Sequence, residues 1–223
     1  MSARDTSARS AGPRWQARSG GDNVTAMFAD TPAPFLNVFS ISPLTKTVPY
    51  QGSELPRADG GTDHGFKNLK LHPELLEAIP ELESDPALRK LTAAIDRPET
   101  GLFTTACESR TIADERGSRL NGYFEFALNC RVGVADPGRY FGIFHEFARR
   151  LQHERFDDTV SFQWVLCPTR FAEASLDGFA AEVRVDTCYH SSHPAAYACW
   201  SRALAMLEAT LAAVPRSSGQ PIY

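Results

Sequence analysis

The sequence predicts an α+β domain: a four-stranded, mainly antiparallel sheet made of two strand-strand-helix halves, with helices on one face. Three observations predict it. Residues 102–112 and 119–129 form a hairpin pattern with one apolar and one polar side. Residues 160–166 and 179–185 repeat a strand pair. Each pair is followed by an amphipathic helix that opens on proline, at Pro137 and at Pro194.

The hairpin carries the most information. Placing Ile112 opposite Arg119 sets Phe103 against Leu128, Thr105 against Phe126 and Cys107 against Phe124 on an apolar face. The same register sets Glu108 against Tyr123, Arg110 against Asn121 and Ala106 against Glu125 on the other. A slip of one residue would mix the two sets, because side chains alternate with period two. In the second pair, Phe162, Trp164 and Leu166 share a face, and a long loop then leads to Phe179, Ala181, Val183 and Val185. These four alternate with Ala180, Glu182, Arg184 and Asp186.

The helix from Pro137 has Asp136 as its N-cap and a stripe of Tyr140, Ile143, Phe144, Phe147 and Leu151. The last helix carries Tyr197, Trp200, Leu204, Leu207 and Leu211 and ends before Pro215. The halves share further marks. Their second strands contain Gly122-Tyr123 and Gly178-Phe179, and both helices open Pro-x-x-Tyr. This order suggests an internal duplication, with Glu125 and Glu182 at corresponding positions.

Ahead of this domain (101–223), residues 34–100 read as an extended segment and two short helices packing on it. Phe35 to Ile41 suits a strand. Pro73 and Pro86 suit first helical turns, with Asp85 capping the second and Leu88, Leu91 and Ile95 on its apolar face. Residues 1–33 are rich in Ser, Ala, Gly and Arg, with Trp15 as their one large ring. That composition predicts a disordered tail, or a docking arm using Trp15 and the arginines.

Composition bounds the function. Of the 223 residues, 43% are hydrophobic, enough for an ordinary core. The net charge of -4 argues against general nucleic-acid binding, which needs a concentrated basic face. Five cysteines without a C-x-x-C pair, no apolar run of membrane-spanning length and no apolar leader predict a cytoplasmic protein with reduced thiols. No nucleophile elbow, phosphate-binding glycine loop or dinucleotide fingerprint is present, and no cofactor is implied.

The polar sheet face is the candidate site. It would display Glu108, Arg110, Tyr123, Glu125, Gln163, Glu182 and Arg184, with Asp186 beside them. Mixed charges around a tyrosine suit a partner protein or a small polar ligand, so the expected function is a binding or assembly module. The same face could meet a second copy of the chain. The alternative is an enzyme using Glu108, Glu125 or Glu182 as general acid or base. A third reading is a structural zinc protein using Cys188, His190, His193 and Cys199. His145-Glu146 lacks the second histidine of a zincin helix, since position 149 is Arg. The Asp59, Asp63 and His64 loop lacks calcium-loop spacing.

Overall fold

Alternation, proline and glycine account for most of the architecture. A computed structural model of the chain describes residues 35–52, 64–154, 156 and 158–223. The predicted tail and most of the Asp59 loop lie outside the described residues. Within the compact unit Pro32–Tyr223, the elements run β1 (Leu36–Ile41), β2 (Lys46–Val48), a 3-10 turn (Pro73–Ala78), α1 (Pro80–Glu83) and α2 (Pro86–Ile95). Then come β3 (Leu102–Asp114), β4 (Gly117–Leu128), α3 (Arg131–Val134), α4 (Pro137–Leu151), β5 (Val160–Phe171), β6 (Leu176–Thr187) and α5 (His193–Leu211).

The expected four antiparallel strands are there, in the order β5-β6-β4-β3, but the sheet is larger and mixed. β1 and β2 both pair parallel to β5 on its outer side, making six strands. Parallel partners need a long crossover, and more than a hundred residues separate Ile41 from Val160. No local pattern announces such a pairing.

The second correction concerns the β3–β4 register. From Ala106 to Ile112 it is as predicted, with Cys107 opposite Phe124, Glu108 opposite Tyr123 and Ile112 opposite Arg119, and the ladder continues to Asp114 opposite Gly117, in what reads from sequence as the connection. A bulge between Thr104 and Ala106 then inserts one residue. Phe126 faces Thr104 rather than Thr105, and Phe103 faces Ala127 rather than Leu128. The bulge therefore turns Phe103 and Thr105 to the face opposite the helices. Phe103 is buried there against the rings of Phe171 and Tyr223.

The long loop expected after β5 is instead strand. β5 runs to Phe171 and β6 starts at Leu176, with Pro168 opposite Phe179 inside the ladder. Pro168 is tolerated because it falls between the stretches of β5 that pair with β1 and with β2. The predicted helix at Pro73 is only a 3-10 turn. Pro80 cannot donate to it, and Ile79 is extended before that proline.

The apolar face carries α2, α4 and α5. Trp164 is fully buried among the rings of Phe126, Phe144 and Phe147, with centroids 6.3, 5.8 and 5.3 Å away. The caps are as the sequence suggests: the Asp136 carboxylate accepts from Gly138 N at 2.9 Å, and the Asp85 carboxylate accepts from Ala87 N and Leu88 N. The two glycines that mark the halves each let another element approach the sheet. A Cβ on Gly122 would strike the Glu108 carbonyl and lie 3.0 Å from Trp200 of α5, and one on Gly178 would lie 2.7 Å from the Val134 carbonyl of α3.

Candidate binding site on the polar face

Cross-strand pairing sorts the predicted site residues into rows. One row runs Glu108, Tyr123, Arg184, Gln163 across β3, β4, β6 and β5. The row beside it places Glu125 directly opposite Glu182. A third sets Arg110, Asn121, Asp186 and Ser161 side by side.

Two like charges face to face in a sheet repel, and here both carboxylates are largely removed from water, at 2% and 7% exposure. On these strands Arg184 can offset Glu182, but no cation there reaches both carboxylates among the described residues. The fold brings one from β2. Lys46 Nζ donates to Glu125 Oε2 and, at 3.1 Å, to Glu182 Oε2. Glu182 Oε1 accepts from Arg184 Nε. Thr105, turned inward by the bulge, donates to Glu125 Oε1 at 2.7 Å.

The electrostatics follow from this geometry. Burial pulls the Lys46 ammonium down, but Glu125 and Glu182 outweigh it and raise it well above the ordinary lysine range. Burial raises the Glu182 carboxyl, but the bonds from Arg184 and Lys46 hold it below its usual value. Cys167, on the same face, is pushed up by burial, with both glutamates adding and Lys46 opposing. Replacing Thr105 with valine should remove one bond to a buried carboxylate and cost about 1–2 kcal/mol in urea denaturation, while Thr105→Ser keeps the donor and most of the stability.

Over these residues lies a cavity of about 370 Å³. Its floor is the sheet face at Thr105, Glu108, Tyr123, Glu125 and Glu182. Its walls come from the β2 segment at Lys46 and Tyr50, from His64 and Lys67, and from Glu81 of α1. Tyr50 ties the wall to the floor by donating to the Thr105 carbonyl at 3.3 Å. Glu81 Oε2 is buried and accepts no hydrogen bond among the described residues, while Oε1 lies 3.9 Å from His64 Nε2. A shallower depression of about 350 Å³ adjoins it and takes in Arg110, Gln163 and Arg184. Glu108 and Tyr123 border both.

Sequence reasoning placed the sheet residues on one face and did not single out Lys46, Thr105, Tyr50 or Glu81 for it. Lys46 lies in a short Lys-Thr-Val run between prolines, where no periodicity marks a strand. Thr105 needed the bulge. Other candidates end up elsewhere. Cys107 turns toward α2, 4.0 Å from Thr92 Oγ1, and burial pushes its thiol to about 12, which is no setting for a nucleophile. His145 is exposed on α4. Of the four predicted zinc ligands, Cys188 and His190 come within 3.7 Å of each other, while His193 opens α5 near the Tyr197 ring.

Compared with known proteins, the chain matches no family model, no curated protein and no solved structure. Among the described residues, no helix is long and apolar enough to cross a membrane.

Proposed function

We propose that this chain is a binding module that takes a small polar ligand into the cavity above the Glu125–Glu182 pair. The observation that carries the reading is Glu81 Oε2, buried at the wall of that cavity without a hydrogen-bond partner among the described residues. A buried acceptor without a donor costs free energy, and a ligand that donates to it recovers that cost.

The charge of the lining gives the ligand class. Glu81, Glu108, Glu125 and Glu182 face Lys46 and Lys67, with His64 beside them. Carboxylates outnumber ammonium groups, which favours a ligand bearing an amine or guanidinium. Binding is favoured over acid-base catalysis because Glu125 and Glu182 are both engaged by Lys46. Neither is disposed to take a proton from a substrate without first breaking that pair. A partner protein that inserts a basic side chain would use the same chemistry.

The test is thermal shift and titration calorimetry with agmatine, putrescine and arginine, set against citrate and inorganic phosphate. The expected result is stabilisation by the amine-bearing probes alone, weakened about tenfold or more in Glu81→Gln. Absence of binding by all three amines, or binding that Glu81→Gln leaves unchanged, overturns the reading.

A further inference from the structure

At the end of the sheet marked by the β5 start and the β3–β4 turn, three side chains of different chemistry converge. Cys188 follows β6, His190 lies two residues on, and Asp158 precedes β5. Cys188 Sγ is 3.7 Å from His190 Nε2, and His190 Nδ1 is 3.7 Å from Asp158 Oδ2. One ligand atom from each of the three lies within 4.8 Å of the other two.

The backbone that carries them is held from both sides. Cys188 N donates to the Thr159 carbonyl at 3.1 Å, tying the thiol's strand to the residue after Asp158. His190 exchanges two backbone bonds with Ser118, each 2.8 Å. That exchange needs Gly117, whose φ is +116° and whose added Cβ would strike the His190 carbonyl. The imidazole is 9% exposed, whereas the Asp158 side chain is 46% exposed and able to turn. Two donors are thus set by the fold, and the third is adjustable and open to water.

We propose that Asp158, Cys188 and His190 form a binding site for a divalent transition-metal ion of the zinc class. Thiolate, imidazole and carboxylate are the donors such an ion takes. Tetrahedral bonds of about 2.0–2.3 Å place neighbouring donors roughly 3.3–3.8 Å apart, which matches the separation of Cys188 Sγ from His190 Nε2. Nε2 takes the ion, and the exposed Asp158 carboxylate, which lies against the other ring nitrogen, rotates to join it. Binding as thiolate releases the Cys188 proton to solvent. Three protein donors leave a fourth position for water. Asp158 has His190 as its one ion-pair partner among the described residues, so no arginine or lysine there already fills the place of the ion.

The set differs from the one the sequence suggested. Asp158 belongs to it, and His193 and Cys199 do not.

The experiment is titration of the reduced, metal-free full chain with cobalt(II), followed by competition with zinc. The expected result is a thiolate-to-cobalt charge-transfer band and tetrahedral visible bands, saturating at one ion per chain and erased by zinc. Cys188→Ser should remove the charge-transfer band, and His190→Gln and Asp158→Asn should each weaken zinc about 10- to 100-fold in chelator competition. His193→Gln and Cys199→Ser should leave the spectrum unchanged. Absence of a thiolate band in the wild-type chain, or its persistence in Cys188→Ser, overturns the proposal. Its loss in Cys199→Ser or His193→Gln overturns this ligand set. The wild-type titration needs no variant to fold, and circular dichroism checks each variant.

Discussion

Replacing Lys46 with methionine is expected to destabilise the fold by about 2–4 kcal/mol at neutral pH. The substitution keeps the aliphatic stem and removes the one charge that, among the described residues, bridges Glu125 and Glu182. What remains is a pair of facing carboxylates in a poorly solvated site, with Arg184 on one of them. The estimate is set somewhat below the roughly 3–5 kcal/mol typical of breaking a fully buried ion pair because the Lys46 side chain is still 38% exposed. The pH dependence gives the sign. In the wild type, the Glu182 carboxyl lies below its ordinary value of 4.5 in the fold, so its contribution is complete above that pH and is lost as pH falls further. Lys46 is raised, so its contribution is present below the ordinary lysine value and fades only in strong alkali. In Lys46→Met the facing carboxylates repel, and taking up a proton relieves them. The stability gap between variant and wild type should therefore narrow as pH is lowered from 7 to about 4.5. Adding Glu125→Gln to the variant should recover part of the loss at pH 7. Urea denaturation of the three proteins at several pH values checks this; a gap that stays constant with pH would refute the account.

Asp85→Ala is expected to be comparably damaging, at about 2–4 kcal/mol. This carboxylate is 2% exposed and serves two elements. One oxygen caps α2 through Ala87 N and Leu88 N and also accepts from the Tyr197 hydroxyl at 3.3 Å. The other accepts from Trp200 Nε1 at 2.8 Å. Removing an N-cap costs about 1 kcal/mol, and leaving a buried indole donor unpaired adds about 1–3 kcal/mol. Asp85→Asn keeps the capping oxygen and should lie between wild type and alanine. The urea midpoints rank the three, and the near-ultraviolet dichroism of Trp200 reports whether α5 has loosened. Equal stability of alanine and wild type would show that the network is incidental.

The two predictions differ in how visible their residues are along the chain. Asp85 ahead of Pro86 and a Leu88–Leu91–Ile95 stripe is a local helix signal, and the cap forms as read. Its bond to Trp200, more than a hundred positions away, has no local signature. The sheet rows behave similarly. Glu125 and Glu182 could be placed on one face because alternation is a property of neighbouring residues. Their direct opposition depended on β4 and β6 pairing in one particular register.

Sequence alone therefore determined which side chains share a face on β4, β5, β6 and on β3 from Ala106 onward, where α2, α4 and α5 begin, and that Phe124, Phe126, Trp164 and Val183 turn toward one buried side. Steric alternation, proline and short capping side chains act over a few residues, so their consequences can be read in order. Tertiary structure alone decided that β1 and β2 join the sheet, that a bulge turns Thr105 inward, and that Lys46 arrives over the glutamate pair. Thr104 donates to Asp96 with both its backbone N–H and its hydroxyl, and Phe103 packs on Tyr223, so the bulge is held by contacts with α2's end and with the C-terminal residue. Such choices follow from the free energy of burying charge and filling space between segments far apart in the chain, and no stretch of a few residues encodes that by itself.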